Sequence, residues 1–349
     1  MQHRILAFFI VFLAATPAAA FVLFDAGGFM GYVWNKWGPP DPGTPAVIHW
    51  SFMSADTAGS AYCGEACPGS SGTTLQFYNP ATDQFESRQL SELQTQIEAA
   101  LTTWAAAADI VFVGPVDDSG LPINDEAALP PASGHVRIGA FAFTGGATFL
   151  GAVGYAPPPN GGTGAGEILF NSAAFFQFAA GQEDVTPINF FFGNDFASLF
   201  LHEAGHALGL AHSADEQSVM YIDPAGEYLI NRELASDDVA GIEILYGPAA
   251  DTDTDGVVDV LDNCLNLPNE DQRDTDLDAI GNRCDPDFNG DCLVNFADLA
   301  ILSADFFQQG DLDTDLNGDS IVNFADLVVV ADYFFLAPGP SGRANSCSQ

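Results

Sequence analysis

The sequence predicts an α+β fold for the first two thirds of the chain, followed by a separate acidic module. Strand-like and helix-like hydrophobic patterns mix without a regular β–α–β alternation, which favours α+β and leaves a compact α/β domain as the alternative. The hydrophobic content of 48% indicates globular structure. Residues 251–349 carry 21 of the 47 acidic residues, and the formal net charge is −39. Such a charge disfavours nucleic acid and anionic membranes as partners and favours cations.

Hydrophobic periodicity predicts the elements in order. Alternation over 46–53 predicts a strand, and apolar residues spaced three and four apart over 87–108 predict an amphipathic helix. Further patterns predict strands at 109–114, 136–143 and 166–171 and helices at 196–209 and 236–246. Gly247 and Pro248 then end this domain, for which we expect the bounds 21–249.

The N-terminus is typical of an export signal. Met1–Arg4 is basic, Ile5–Ala15 is apolar, and Ala18–Ala20 offers a small-residue cleavage site. The alternative is an uncleaved anchor, because the apolar stretch is almost long enough to span a bilayer. Pro17 and the alanines favour cleavage. We therefore expect a signal peptide at 1–20, a secreted or extracellular protein, and no membrane association after cleavage.

Six cysteines suit an oxidising compartment, and six allow 15 pairings. The pairing that we predict is Cys63–Cys67, Cys264–Cys284 and Cys292–Cys347.

The stretch HEAGHALGLAH, residues 202–212, predicts a metal site. His202 and His206 lie four apart and share one face of the predicted helix. Gly209 lets the chain leave the helix, so that His212 can become a third ligand. Three imidazoles and one open position describe a catalytic zinc site, with Glu203 placed to act on a water molecule. The alternative, an exposed helix with scattered histidines, does not explain why each position of the motif has its own mechanical role.

These residues resemble the metzincin metalloproteases, and most closely the matrixins. The resemblance rests on HEAGHALGLAH with Ser213, on SVMY at 218–221 and on DDVAGIEILYG at 237–247. It implies a metzincin-like domain, with a twisted sheet and long helices, in which Met220 forms a turn beneath the zinc. It also implies that Asp237 and Asp238 brace that turn, and that a substrate lies as an extended strand along the edge at 166–171.

The chain departs from the matrixin pattern in its histidines. Matrixins usually bind a second, structural zinc, but only His49 and His135 remain outside the motif after the predicted signal peptide. His49 falls in a strand pattern and is interpreted as packed, not metal-bound. We therefore predict a single zinc in this domain. Ile222 also stands where the family often has proline.

Four acidic segments share the ligand spacing of a calcium loop, in which positions 1, 3, 5, 9 and 12 supply oxygen atoms. The alternative of a solvated acidic linker does not explain four segments with the same spacing. The predicted calcium ligands are Asp251, Asp253, Asp255, Asp259 and Asp262 in loop 1; Asp274, Asp276, Asp278, Asn282 and Asp285 in loop 2; Asp287, Asn289, Asp291, Asn295 and Asp298 in loop 3; and Asp315, Asn317, Asp319, Asn323 and Asp326 in loop 4.

The first two loops, within 250–286, resemble a thrombospondin type 3 repeat. Loops 3 and 4, within 287–338, are near-duplicates followed by apolar helices predicted at 299–307 and 327–335. This duplicated unit resembles a dockerin, a small EF-hand-like helical domain, and implies a cohesin-like partner. Residues 339–349 are interpreted as a tail. Position 6, normally glycine, is Ala279, Cys292 or Ser320 in three loops.

Together these features predict a secreted zinc endopeptidase with Zn²⁺ and Ca²⁺ as cofactors. It would hydrolyse protein substrates with an activated water and Glu203 as general base, and its dockerin-like module would attach it to a partner or a cell surface. The alternative function is a calcium-dependent adhesion or scaffold protein whose protease domain is inactive.

Overall fold

The computed structural model describes residues 23, 35–54, 57, 74–118, 120, 135–145, 148–158, 164–183, 193–221, 230–343 and 347. The predicted signal peptide, the Cys63–Cys67 pair and Ile222 lie outside these residues. The strands are β1 (Ala46–Phe52), β2 (Leu75–Asn79), β3 (Gln84–Arg88), β4 (Ile110–Val113), β5 (His135–Phe141), β6 (Ala152–Gly154), β7 (Glu167–Asn171), β8 (Phe175–Gln177) and β9 (Asn194–Asp195). The helices are α1 (Gln94–Ala105), α2 (Phe196–Leu208), α3 (Ser236–Tyr246), α4 (Phe296–Asp305) and α5 (Phe324–Asp332).

The main sheet has five strands in the order β4-β1-β5-β7-β6. The first four are parallel, and β6 is antiparallel to β7. All five residues of β7 are buried, as expected for a strand with a neighbour on each side. The predicted substrate edge at 166–171 is therefore wrong, because β6, and not β7, is the strand at that side of the sheet.

A second sheet, in the order β3-β2-β8-β9, was not predicted from the sequence. β2 and β3 form an antiparallel hairpin that takes residues up to Arg88 out of the helix predicted to begin at 87. A 3₁₀ turn at Leu90–Leu93 follows, and α1 begins at Gln94. The spacing of the apolar residues was still informative, since Leu90, Leu93, Ile97, Leu101 and Trp104 are all buried.

Helix α2 lies in the core and agrees closely with the prediction of 196–209. The Asp195 carboxylate caps it by accepting a hydrogen bond from the Ser198 N–H at 3.0 Å. Trp104 of α1 donates from Nε1 to the Leu201 carbonyl at 3.0 Å, which ties the two helices together. Gly209 ends α2 with φ 111°, and a Cβ there would lie 2.1 Å from the carbonyl oxygen of Asn35. Position 209 therefore needs glycine both for its backbone angle and for space.

Helices α4 and α5 begin three residues earlier than the apolar pattern predicts. Asn295 and Asn323 cap them by accepting from the N–H groups of Ala297 and Ala325, both at 2.8 Å. The apolar pattern misses this first turn because each starts with an exposed phenylalanine. Both helices pack on a small core of Val294, Leu302, Leu316, Val322 and Val330.

The C-terminal residues fold back onto the first two acidic loops. Disulfides join Cys264 to Cys284 and Cys292 to Cys347, as predicted. Residues 339–343, which we call the strap, donate to backbone carbonyls of the repeat: Gly339 N–H to Cys284 at 2.9 Å, Gly342 N–H to Asp262 at 2.8 Å, and Arg343 Nε to Leu261 at 2.7 Å. The predicted boundary between the duplicated unit, which ends at 338, and the tail would therefore separate the strap from the repeat to which it is hydrogen-bonded. None of the helices in the described ranges has the length and hydrophobicity needed to cross a membrane.

Candidate zinc centre and calcium loops

His202, His206 and His212 converge at the C-terminal half of α2. Their ligand nitrogens lie within 4.8 Å of one another, and the Nε2 atoms of His206 and His212 are 3.2 Å apart. Two nitrogens bound tetrahedrally to one zinc at its usual bond length would be ~3.3 Å apart. The spacing of His206 and His212 therefore suits two ligands of one zinc ion, and His202 lies close enough to be the third.

Backbone carbonyls fix the tautomers of two of these histidines. His202 Nδ1 lies 2.7 Å from the Val219 carbonyl oxygen, and His206 Nδ1 lies 2.7 Å from that of Leu210. A carbonyl can only accept, so each Nδ1 carries the proton and each Nε2 keeps its lone pair for a metal. Burial lowers the pKa of His202 to about 4 and that of His206 to about 3. Both rings are thus neutral at pH 7, which is the form that binds zinc.

Glu203 follows the first ligand and is only 6% exposed. Burial raises the pKa of its carboxyl group to about 8, and a hydrogen bond from the Gly154 N–H opposes that rise. A cation close to this carboxylate would favour the ionised form further. A buried carboxyl group next to a metal ligand is well suited to proton transfer.

The turn that follows His212 is held from α3. Asp238 accepts hydrogen bonds from Ser218 Oγ at 2.5 Å and from the Val219 N–H at 2.9 Å. Asp237 accepts from Ser213 Oγ at 2.5 Å. Asp238 thus braces the turn as the resemblance implied, whereas Asp237 holds the residue directly after His212.

Met220 lies directly beneath the ligand-bearing turn of α2. A Cβ on Gly205 would be 2.3 Å from Met220 Sδ and 2.9 Å from Trp104 Cζ2. The glycine in the motif therefore lets the methionine and the tryptophan approach the helix backbone.

His49 is not part of this group. His49 is half-buried in β1, in line with its interpretation as a packed residue. The three-histidine group is the one imidazole cluster with metal-ligand geometry in the described part of the chain.

The four acidic loops share one backbone conformation. In each loop the carboxylate at position 1 accepts from the N–H of position 6: Asp251 from Gly256 at 3.1 Å, Asp274 from Ala279 at 3.1 Å, Asp287 from Cys292 at 2.6 Å, and Asp315 from Ser320 at 2.9 Å. The position-6 residues all have positive φ, namely 92°, 74°, 64° and 68°. The residues other than glycine at position 6 therefore keep the positive φ that Gly256 has in loop 1.

The predicted ligands are not all placed alike. Positions 1, 3 and 5 converge within 4.8 Å in loops 1 and 2. The position-9 side chains instead accept local hydrogen bonds from backbone N–H groups: Asp259 from Thr252, Asn282 from Thr275, Asn295 from Ala297 and Asn323 from Ala325. At position 12, Asp298 and Asp326 are fully buried, and Asp298 Oδ1 has no hydrogen-bond partner. A buried, unpaired carboxylate oxygen in a loop of oxygen donors suits a hard cation such as Ca²⁺.

Asp313 was not predicted, because it lies outside the spacing of every loop. Its side chain and its carbonyl both accept from Asn282 of loop 2. Burial raises its pKa to about 6, with further contributions from Asp276 and Asp278. Burial likewise raises the pKa of Asp285 to about 8. Asp313 therefore adds a carboxyl group to those that loop 2 itself supplies.

The three-histidine centre lies in a domain of mixed α+β architecture. Residues 76–247 match the family model described as Matrixin. The chain is 46% identical to matrilysin of Rattus norvegicus over 55 residues, which is 16% of this chain and 21% of that protein. It is 38% identical to stromelysin-1 of Rattus norvegicus over 84 residues, which is 24% of this chain and 16% of that protein.

These comparisons show that residues 76–247 are similar to the matrixin family. The chain spans about a fifth of the length of these two curated relatives.

Proposed function

We propose that this protein is an exported zinc endopeptidase that cleaves protein substrates, and that its acidic C-terminal region binds calcium and attaches it to a partner. The observation that carries the proposal is the geometry of His202, His206 and His212. Two of these rings have Nε2 freed for a metal by carbonyl acceptors, and the Nε2 atoms of His206 and His212 lie 3.2 Å apart, which supports shared binding of one zinc ion.

A bound zinc would supply Lewis-acid chemistry, polarising the scissile carbonyl and making a water molecule more acidic. Glu203 would take the proton from the attacking water and deliver it to the leaving amine. The burial of Glu203 keeps bulk water from competing for that proton. The turn at Ser218–Met220 would hold the ligand-bearing helix from below.

A substrate would bind along β6, not along β7 as first expected. One side of β6 is paired with β7, and no strand of the described chain pairs with its other side. Gly154 at the end of β6 lies against Glu203, so a peptide extended along this strand would pass the general base. Main-chain hydrogen bonds along the strand would orient the scissile bond.

The test is hydrolysis of casein by the full-length chain loaded with zinc, with and without a chelator. We expect hydrolysis that the chelator abolishes and added zinc restores. A Glu203→Ala variant should bind zinc with the same stoichiometry and lose nearly all turnover. An intact, zinc-loaded chain without peptidase activity would instead favour the adhesion or scaffold function.

The calcium assignment is supported by the repeated backbone of the four loops and by the unpaired Asp298 oxygen. The attachment role is supported by equivalent exposed aromatic residues at the start of α4 and α5, since Phe296 is 68% and Phe324 66% exposed. Exposed aromatic residues in duplicate would suit a protein partner. Binding of immobilised cohesin modules in calcium, lost in a Phe296→Ser/Phe324→Ser variant, would support that partner. Equal binding of the wild type and the variant to the cohesin modules would refute a role for these phenylalanines in partner binding.

A further inference from the structure

We propose that Arg273, the residue directly before the first ligand of loop 2, is a positioning residue for loop 4, and that through it the two loops bind calcium as a coupled pair. The proposal rests on the proposed function, because it adds a regulation to the same calcium loops. It concerns how calcium in one loop changes the affinity of the other, and it adds no metal site.

Arg273 is part of the backbone of loop 2. Its carbonyl accepts a hydrogen bond from the Asn282 N–H at 2.9 Å, and Asn282 stands at position 9 of that loop. Asp274, the next residue along the chain, is position 1, and its carboxylate converges with those of Asp276 and Asp278 within 4.8 Å. A cation held by these three carboxylates would therefore also restrict the backbone that carries Arg273.

The guanidinium of Arg273 holds the segment that leads into loop 4. Nε donates to Asp311 Oδ1 at 2.9 Å, Nη2 to the Leu312 carbonyl at 2.8 Å, and Nη1 to the Asp315 carbonyl at 2.5 Å. The group is planar and its donors are fixed relative to one another, so three bonds from it set the path of residues 311–315. Asp315 is position 1 of loop 4, and its Oδ2 lies 3.8 Å from Nη2.

Asn282 supports the same segment, and both connections lead to a buried ligand carboxylate. Asn282 Nδ2 donates to the Asp313 carbonyl at 3.1 Å. Asp315 is 2% exposed, and its two carboxylate oxygens accept from the Gly318 N–H at 3.1 Å and from the Ser320 N–H at 2.9 Å. The direction of this carboxylate is thus set by the backbone of loop 4, whose first residue is held by loop 2. Contacts behind a metal ligand commonly change metal affinity about 10- to 100-fold.

Loop 3, the near-duplicate of loop 4, reaches loop 2 in a different way. It follows loop 2 directly, and the N–H of Asp287, its position 1, donates at 3.0 Å to Oδ1 of Asp285, position 12 of loop 2. Loop 4 is separated from loop 2 by loop 3 and α4, so the chain itself does not provide this continuity. The contacts of Arg273 supply the connection through space. Loop 2 therefore holds the first ligand of both loops of the duplicated unit.

Apolar packing keeps the two loops in place independently of Arg273. Tyr333, directly after α5, packs against the cluster of Cys264, Ile280 and Cys284 in the repeat and also against the core of the duplicated unit. We therefore expect a chain without the Arg273 side chain to fold and to lose the connection between the loops, not their structure.

The experiment follows hydrogen exchange of the loop 4 peptide by mass spectrometry while calcium is added to the full-length chain. Asp278→Asn removes a carboxylate from loop 2, and Asp271→Asn removes one from an exposed position of the repeat outside the loops. We expect Asp278→Asn to raise the calcium concentration at the midpoint of loop 4 protection about 5- to 20-fold, a common size for coupling between two sites. Asp271→Asn should shift it less than about twofold, because an exposed charge is screened.

Arg273→Ala decides how this effect is transmitted. In that background we expect Asp278→Asn to shift the loop 4 midpoint by less than about twofold, since the connection is gone, whereas in the Arg283→Ala background the full shift should remain. Arg283 is exposed and gives the matched loss of charge. The same shift in the wild-type and Arg273→Ala backgrounds would overturn the proposal, as would no shift from Asp278→Asn in the wild type.

A conservative variant and the wild type complete the test. Arg273→Lys keeps the charge but cannot make the three fixed contacts, so it should lose the coupling as Arg273→Ala does, and it decides the question if the alanine variant does not fold. Coupling retained in Arg273→Lys would refute the positioning role alone. Loop 4 exchange that does not respond to calcium in the wild type would refute the calcium binding of the proposed function, and the coupling with it.

Discussion

Asp238 and His202 are joined through one residue, Val219. The Asp238 carboxylate accepts from the Val219 N–H at 2.9 Å, and the Val219 carbonyl accepts from His202 Nδ1 at 2.7 Å. A residue of α3 thus helps to fix the orientation of a predicted zinc ligand on α2. The Asp238 carboxylate would thus act on a bound metal ion indirectly, through the turn that it holds.

We expect Asp238→Asn to weaken zinc binding about 10- to 100-fold, the usual effect of losing a partner behind a metal ligand. An amide in place of this carboxylate offers one acceptor fewer and leaves a buried donor of the turn unsatisfied. Competition with a chromophoric chelator would measure the change. Glu243→Gln, an exposed residue of the same helix, is the matched control and should bind zinc like the wild type. Equal affinities for all three proteins would show that Asp238 does not support the site.

Metal analysis of the full-length chain in millimolar calcium should give one zinc per chain. The described residues bring together one imidazole group, and His49 lies apart from it in β1. The His206→Ala variant should then retain no stoichiometric zinc. Two zinc ions per wild-type chain would mean that carboxylates or residues outside the described ranges form a second site.

Gly205→Ala should destabilise the domain by about 1–3 kcal/mol, as overpacking of a tight core does. The added methyl would meet Met220 Sδ and Trp104, both buried against α2. If that contact is the cause, Met220→Ala should relieve it, so that the double variant costs less than the sum of the two single ones. Urea unfolding of the four proteins would measure this. Additive effects would place the strain elsewhere.

Limited proteolysis of the full-length chain should cut within 251–343 in chelator and spare that region in millimolar calcium. Close carboxylates such as Asp274, Asp276 and Asp278 repel by about 1 kcal/mol per pair even in water-like surroundings. Calcium would remove this repulsion, so its binding would stabilise the fold. The same cleavage pattern in both conditions would leave the solvated acidic linker as the correct interpretation.

Arg343→Ala should raise the calcium concentration needed for that protection. Arg343 of the strap donates to the Leu261 carbonyl and to Gln272 at 2.7 and 3.0 Å, which links the strap to the repeat. Arg283→Ala removes the same charge from an exposed position of the repeat and is the matched control. A similar shift for both variants would indicate a general charge effect and not the loss of the strap.

The sequence pattern predicted an element correctly where interactions between residues close in sequence determine it. Helix α2 and its exit at Gly209 followed from periodicity and from the backbone freedom of glycine, and the three histidines came together as their spacing predicts. Helix α3 was also bounded correctly, by Gly247.

Features that depend on distant pairing were missed or misplaced. β7 was taken for an edge strand because a run of apolar residues does not reveal which strands flank it. The β2–β3 hairpin was not predicted, and its last two residues, Ser87 and Arg88, were assigned to the helix. Asp313 was missed because its neighbours in space belong to loop 2, far from it in sequence.

The strap also bears on the order in which the molecule can form. Residues 339–343 complete the hydrogen bonding of Leu261, Asp262 and Cys284, which are synthesised more than fifty residues earlier. On a ribosome the domain that ends at Gly247 would emerge whole, whereas the acidic loops that follow it would wait for residues still inside the exit tunnel. The repeat would therefore reach its final structure only after translation has passed the strap, and nascent chains stalled before residue 339 would present an unfinished, protease-sensitive end.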